Sequence, residues 1–135
     1  MGKQIVDEFV RSINEQNIDR VYELMTADFK FIDAYGEEVV GKDRMRKSWI
    51  GYFHWFPDYK IEITDTFSDG NVFVILGFAS GTYQNKKTDN NENYWRLPAS
   101  WKAVVDKNQI KQWQVYCDSK IPHDIMVRNK LNDSQ

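Results

Sequence analysis

The first 56 residues contain three stretches whose hydrophobic positions have helical spacing. The predicted helices cover residues 3–16, 18–26 and 42–56. In the first of them, Ile5, Phe9 and Ile13 are four residues apart and therefore share one face of a helix. The third is expected to end at Phe56, because Pro57 disfavours the helical conformation in the residue before it.

The rest of the chain has the two-residue period of strands, and so does a short segment between the second and third helices. The segments are "DFKFID" with a short return strand through Val40, "YKIEITDTF", "NVFVILGFASGTY", "YWRLPASWKAVV" and "IKQWQVYCD". One face of "YWRLPASWKAVV" consists of Trp95, Leu97, Ala99, Trp101, Ala103 and Val105. The last segment is interpreted as having Ile110, Gln114, Tyr116 and Asp118 on one face, and Trp113, Val115 and Cys117 on the other.

This order of elements predicts an α+β domain, with a strongly curved, mostly antiparallel sheet wrapped around three N-terminal helices. A chain of 135 residues fits one domain. We assign that domain to residues 1–120, and residues 121–135 to a polar C-terminal tail that we expect to be partly disordered.

The segment "SWIGYFHWFPDY" concentrates six aromatic residues at the end of the third helix. At about 100° per residue, one narrow sector of that helix holds Met45, Trp49, Tyr52, Phe53 and Phe56. The same geometry places Trp55 at the flank of this sector and His54 nearly opposite it. A catalytic role for His54 is therefore not favoured.

Composition and charge exclude several classes of partner. The net charge of −2, without a basic stripe, excludes nucleic acid as an expected partner. A single cysteine and two separated histidines predict no disulfide, no metal site and no cofactor. The longest apolar run, "VFVILGFA", is too short to span a membrane, and the N-terminus lacks the apolar run of a signal peptide. We therefore expect a cytoplasmic protein without a membrane partner.

Three segments give the chain a resemblance to the nuclear transport factor 2-like superfamily. They are "LMTADFKFIDAYGEEVVGKDRMRKSW", "FPDYKIEITDTFSDGNVFVILGFASGTY" and "WKAVVDKNQIKQWQVYCD". Within the superfamily the chain is most similar to the SnoaL-like group, named for a polyketide cyclase, and more distantly to ketosteroid isomerase. The resemblance implies a cone with an internal, mostly apolar cavity, and a homodimer formed through the outer face of the sheet.

The same resemblance makes Asp33 and Asp118 the candidate catalytic residues. Asp33 lies where ketosteroid isomerases have their general base, and Asp118 lies where the cyclase group has an acid/base aspartate on the last strand. A carboxylate in apolar surroundings has a raised pKa, as acid–base catalysis near neutral pH requires. The alternatives are that Asp33 initiates the turn at Gly36 and that Asp118 is a solvated strand end. The isomerase's oxyanion-binding residues correspond to Phe9 and a position near Ser100, which makes steroid isomerisation by that mechanism improbable.

The expected pocket wall combines large rings with a few polar groups. Its members are Trp49, Tyr52, Phe53, Trp95, Trp101, Tyr116 and Gln114. Cys117 is interpreted as packing at the outer face or in a dimer interface, since no histidine stands beside it to activate a thiolate. Three functions remain open: an acid–base enzyme acting on a small, largely apolar substrate, a non-catalytic binder of such a molecule, or a dimeric interaction module whose cone is filled by its own side chains.

Overall fold

A computed structural model describes residues 2–133, with side chains described as far as Leu131. The elements are α1 (Gly2–Asn14), α2 (Ile18–Leu24), β1 (Met25–Ile32), β2 (Glu38–Val40), α3 (Lys42–Trp55), β3 (Lys60–Asp69), β4 (Val72–Thr82), a 3₁₀ turn (Tyr83–Asn85), β5 (Tyr94–Asp106), β6 (Gln109–Cys117) and α4 (Lys120–Asp133). The predicted order of helices and strands is confirmed as far as the end of β6. None of the helices in this range is both long and apolar enough to cross a membrane.

The six strands form one open, mixed sheet in the order β2-β1-β6-β5-β4-β3. Strands β1 and β6 are parallel, and the other neighbouring pairs are antiparallel. Helices α1 and α3 pack on one face of this sheet, which we call the inner face. The α+β class with a mostly antiparallel sheet around the N-terminal helices is therefore confirmed.

Local side-chain contacts explain where the N-terminal helices end. The Asn14 amide, at the end of α1, accepts from the Ile61 N–H at 2.8 Å and donates to its carbonyl at 2.9 Å, which ties α1 to β3. The Asn17 carboxamide accepts from an N–H in the first turn of α2, as expected of an N-cap. Helix α2 ends at Leu24, two residues earlier than predicted, because Met25 already pairs with β6.

Periodicity correctly predicts which faces of α3 and β5 are buried. The predicted inward stripe of α3 is buried or half-buried, and the buried positions of β5 alternate as the sequence indicates. His54 is exposed, and Trp55 at the flank is 38% exposed. The Trp49 and Phe53 rings of α3 therefore point towards the inner face of the sheet, while His54 points away.

The two faces of β6 are the reverse of the prediction. Val105 pairs with Ile110 but Val104 pairs with Gln112, so Lys111 is an extra residue on β6, a β-bulge. Past the bulge the alternation is shifted by one residue, because side chains in a strand repeat with period two. Trp113, Val115 and Cys117 consequently share the inner face with Ile110.

The C-terminal tail differs from the expectation of partial disorder, since Lys120–Asp133 form helix α4. Ile125 of this helix is buried in the hydrophobic core, and the Asn129 amide donates to Asn93 Oδ1 at 2.9 Å. The hydrophobic pattern of α4 is weak because one buried isoleucine and a buried polar contact attach the helix. Tertiary contacts of this kind leave little trace in the sequence.

Candidate binding site in the aromatic interior

Aromatic rings from α1, α3 and the inner face of the sheet fill the space between the helices and the sheet. We call this space the aromatic interior. Trp49 and Phe53 stack with centroids 5.5 Å apart, and Trp101 and Trp113 stack at 6.4 Å. Phe9 joins the two stacks by edge contacts with Trp49 at 6.4 Å and Trp113 at 5.0 Å.

A second group of rings lies where α3 ends and β5 begins. Tyr52 meets Phe56 at 5.3 Å and Tyr59 at 5.0 Å, both edge to face. Trp95 meets Phe56 at 5.4 Å and Tyr59 at 6.2 Å. Gly81 on β4 permits this packing, because a Cβ there would lie 3.2 Å from Phe56 and 3.3 Å from Trp95.

Two indole N–H groups in this interior have no acceptor among the described residues. Trp49 and Trp95 are each only 5% exposed, and the Nε1 atom of each is buried without a hydrogen bond. By contrast, the Trp101 side chain is hydrogen-bonded to the Tyr59 hydroxyl. A buried donor without a partner costs about 1–3 kcal/mol. The two indoles are therefore available for an acceptor that the chain itself does not supply.

A thiol and two phenols of the interior, those of Cys117, Tyr52 and Tyr59, have raised pKa values and are neutral at pH 7. Burial is the main cause that raises the pKa of Tyr52 well above its usual range, and Tyr59 and Cys117 raise it further. Burial likewise raises the pKa of Tyr59, although its bond with Trp101 acts in the opposite direction. Burial first, and then the charge of Asp118, raises the pKa of Cys117. The aromatic interior is thus uncharged, and its thiol is not activated as a nucleophile.

Asp33 lies just beyond the end of β1, half-buried in the turn that leads to β2. Its Oδ1 atom accepts from the backbone N–H groups of Tyr35 and Glu37, both at 2.9 Å. The Gly36 N–H also donates to the Asp33 carbonyl at 3.0 Å. This is the arrangement of an aspartate that initiates a turn.

Asp118 follows β6 and is exposed, and its Oδ1 accepts from the Lys120 N–H at 3.0 Å, where α4 begins. Tyr116 pairs with Ser100, and Gln114 pairs with Lys102, on the face of the sheet opposite Trp101. Tyr116 is 50% exposed. The expectation that Gln114 and Tyr116 face the interior together with Asp118 is therefore wrong in its geometry, because the bulge reverses the two faces.

Cys117 requires the opposite correction. It pairs with Ala99, a buried inner-face residue, and so does not lie on the outer face. Among the predicted wall residues, Trp49 contacts Phe53. Tyr52 and Trp95 both contact Tyr59, and Trp101 joins the same group through Tyr59.

Asp33 and Asp118 lie at the same end of the sheet, since they follow two parallel strands.

Sequence reasoning missed Tyr59 and Cys117 as members of the interior. Tyr59 begins the segment "YKIEITDTF", and its two-residue spacing from Ile61 is the signal that indicates a buried face. For Cys117 no signal in the sequence reveals the bulge at Lys111, because "IKQWQVYCD" alternates acceptably in either register.

Two surface pockets on the described residues lie outside the aromatic interior. One, of about 610 Å³, is a shallow groove between α1 and β3 that includes Val10, Asn14 and Ile63. The other, of about 400 Å³, lies beside the loop that joins β4 and β5. Neither is lined by the candidate aspartates or by a tryptophan.

Comparison with known families identifies the domain. The sequence profile of the SnoaL-like domain matches residues 6–110, which is most of the chain. The chain belongs to the SnoaL-like domain family. A comparison with curated protein sequences finds no match.

Solved structures similar to this SnoaL-like domain share its fold at low sequence identity. A candidate SnoaL-like polyketide cyclase from Shewanella denitrificans has a TM-score of 0.78 and 12% identity, over 94% of this chain and 97% of that one. An epoxide hydrolase from M. tuberculosis, similar to LEH, has a TM-score of 0.76 and 13% identity, over 96% and 92%. A protein with a ketosteroid isomerase-like fold from Catenulispora acidiphila, in complex with trimethylamine, has a TM-score of 0.72 and 18% identity, over 83% of each chain. At these identities the likeness concerns the fold alone.

Proposed function

We propose that this SnoaL-like domain is a binding module for a small, neutral, largely apolar molecule held in the aromatic interior. An acceptor atom of that molecule, such as a carbonyl oxygen, would accept from the indole N–H of Trp49 or Trp95. The observation that carries the proposal is the pair of buried indole donors without an acceptor. Ligand pockets are typically apolar and contain a few polar groups that orient the ligand.

The charge of the interior favours a neutral ligand. The pKa values of Tyr52, Tyr59 and Cys117 are all raised, so the surrounding side chains provide no charge to pair with an ion. Burying an unpaired ion is costly. The trimethylamine bound by the Catenulispora protein identifies a competing ligand class, because aromatic faces also attract cations. The orphaned N–H donors of this chain would repel a cation and attract an acceptor.

Entry of a ligand requires movement of side chains, since rings fill the interior. Tyr52 is half-buried, whereas Trp49 and Phe53 beside it are buried. We expect Tyr52 to rotate when a ligand enters, because it is the ring of the α3 stripe with access to solvent. Rotamer changes of this kind are common when a ligand binds.

A thermal-shift assay tests the proposal with a panel of cyclic ketones, the matching cyclic hydrocarbons and trimethylamine. A ligand present at a hundredfold excess over its Kd stabilises the native state by about 2.7 kcal/mol. We expect ketones to raise the melting temperature and hydrocarbons of equal size to do so less. Trp49→Phe or Trp95→Phe should reduce the ketone effect, and the flanking Trp55→Phe is the matched control. Equal shifts in all three variants, or a response to trimethylamine alone, would contradict the proposal.

Acid–base catalysis by Asp33 or Asp118 is a second candidate function, favoured by the position of both carboxylates at one end of the sheet. Similarity in fold to a cyclase and an epoxide hydrolase is compatible with it. Once a turned-over substrate is found, Asp33→Asn and Asp118→Asn discriminate the two functions. Loss of turnover with retained binding would favour the enzyme, and undiminished turnover would exclude these residues.

The outer face of the sheet supports a third proposal, a homodimer that brings two such faces together. Phe67 pairs with Val74 on this face, and they are 60% and 38% exposed; Leu76, nearby, is also 38% exposed. Exposed apolar side chains grouped in this way are typical of interfaces. Light scattering after size exclusion should give a dimer that Leu76→Lys dissociates, with Ile50→Lys on α3 as control. A monomer at every concentration would exclude this assembly.

The cytoplasmic location also stays a prediction.

A further inference from the structure

Helix α4 is fixed at both ends of the first part of β5, which extends past the end of β6. Cys117, the last residue of β6, pairs with Ala99, so residues 94–98 of β5 have no partner in β6. Helix α4 begins at Lys120, near the end of β6. The side-chain amide of Asn129 in this helix donates at 2.9 Å to Oδ1 of Asn93, the residue before β5.

The lengths of the two segments determine the direction of α4. From Asn93 to Ala99 a strand rises about 20 Å, at about 3.3 Å per residue. From Lys120 to Asn129 a helix rises about 14 Å, at about 1.5 Å per residue. The link from Cys117 to Lys120 adds at most about 11 Å. Helix α4 therefore has to run along this part of β5 to reach Asn93.

The part of β5 beside α4 contains one of the two indole donors without an acceptor. Trp95 is buried, and its Nε1 atom has no hydrogen bond among the described residues. Ile125 of α4 is buried in the same hydrophobic core cluster, against which Met126 also packs. Helix α4 therefore closes the end of the aromatic interior where Trp95 lies. Trp49, the other donor without an acceptor, lies in the group of rings around Phe9.

Polar contacts hold the far end of α4 against the loop before β5. Asn93 Oδ1 accepts from the Asn129 amide and, at 3.0 Å, from the Arg128 guanidinium. The same guanidinium donates to the Glu92 carbonyl at 2.6 Å. Asn93 is itself held in place, since its amide donates to the Lys86 carbonyl at 2.8 Å. We call the buried hydrogen bond between Asn93 and Asn129 the latch.

The apolar attachment of α4 is small. Among its described side chains, Ile125 is the one buried hydrophobic residue, whereas Val127 and Leu131 are exposed. Helix α1, by comparison, buries four hydrophobic side chains. Segments with few buried apolar contacts open at a lower free energy than the core of a protein. We therefore expect α4 to detach while the sheet stays folded.

We propose that α4 is a lid on the aromatic interior, which opens when the latch breaks and the helix moves about Asp118 and Ser119. These two residues link β6 to α4 and belong to neither element. Opening removes Ile125 from the core and gives water or a ligand access to Trp95, in addition to the rotation of Tyr52. The lid rests on the proposed binding function only for the molecule that passes through it, because the opening itself needs no ligand.

Hydrogen exchange of the full chain without ligand, followed by two-dimensional NMR, tests the lid. We expect the α4 amides and the Trp95 indole N–H to exchange together, and faster than the amides of β5 residues 99–105. Asn129→Ala removes both hydrogen bonds of that amide and should accelerate the two sets by about tenfold. Alanine favours the helix more than asparagine does, so faster exchange reports detachment and not fraying. Leu131→Ala, on the exposed side of the same helix, is the control and should change neither set.

Trp49 is the internal reference, because its indole is also buried without an acceptor but lies on α3. Its exchange should be the same in the wild type and in Asn129→Ala. Faster α4 amides with an unchanged Trp95 indole, or a Trp49 indole accelerated as strongly as that of Trp95, would overturn the proposal. So would wild-type α4 amides that exchange as slowly as those of β5. A failed ketone screen does not alter these rates, so failure of the binding function and failure of the lid are separate results.

Discussion

Replacing Trp95 by phenylalanine tests whether its indole N–H lacks an acceptor in solution. The smaller ring loses about 1–2 kcal/mol of burial and packing. Removing a buried donor without a partner relieves a penalty of about 1–3 kcal/mol. The two effects oppose each other, so we expect the free energy of unfolding to stay within about 1 kcal/mol of the wild type.

Trp101→Phe is the matched comparison, because Trp101 is also buried on the inner face of β5. Its side chain is hydrogen-bonded to Tyr59, so the substitution loses both ring volume and a hydrogen bond. We expect a loss of about 2–4 kcal/mol. Urea unfolding followed by far-UV circular dichroism measures both variants, and equal slopes against urea make the two values comparable. Equal losses in the two variants would refute the reasoning, because they would mean that the Trp95 N–H is also satisfied.

Three further predictions concern the turn, the sheet and the phenols. Asp33→Asn should change the free energy of unfolding by less than about 0.5 kcal/mol, because an amide oxygen can accept hydrogen bonds from the same two N–H groups. Asp33→Ala should lower that free energy by about 1–2 kcal/mol. Urea unfolding measures both variants. Gly77→Ala would place a Cβ 1.8 Å from the Glu62 carbonyl oxygen, so we expect the free energy of unfolding to fall by more than about 3 kcal/mol. Gly51→Ala is the control, because a Cβ there meets nothing within 4 Å. A wild-type melting temperature for Gly77→Ala would show that the strands adapt. Burial raises the pKa of Tyr52 in the folded protein. The neutral phenol therefore contributes its full stabilisation below the unfolded pKa of about 10, and this stabilisation is lost as the pH rises above that value. Tyr52→Phe should flatten the fall of melting temperature at alkaline pH, and an unchanged slope would contradict the raised pKa of Tyr52.

The elements with strong periodicity were predictable because burial imposes the pattern directly. The stripe of α3 and the inner face of β5 each repeat with the period of their own backbone, so a count along the sequence identifies the buried side. That count also predicted correctly that His54 is exposed. Helix α4 could not be found in this way, because Ile125 is the one hydrophobic residue buried among its described side chains. Asn129 is held by a hydrogen bond to a distant loop.

The candidate site was only partly predictable, for a similar reason. Trp49, Phe53, Trp95 and Trp101 were expected in the interior and are buried there. Whether an indole N–H finds an acceptor, however, depends on distances of a few tenths of an ångström between residues far apart in sequence. No spacing along the chain contains that information, and the orphaned donors emerge only from the packed structure.

One residue in β6 determines the chemistry of the interior. In a straight strand starting from Ile110, Gln114 and Tyr116 would point inward and Asp118 would follow on the same side. The bulge at Lys111 exchanges them for Trp113, Val115 and Cys117. An interior with a carboxylate at its edge could transfer protons, whereas an interior of rings, phenols and a protonated thiol excludes water and offers only uncharged hydrogen-bonding groups. The proposed recognition of a neutral acceptor therefore depends on the register of a single strand. Proton transfer would have to come from Asp33 or Asp118 after release from the backbone N–H groups they now hold.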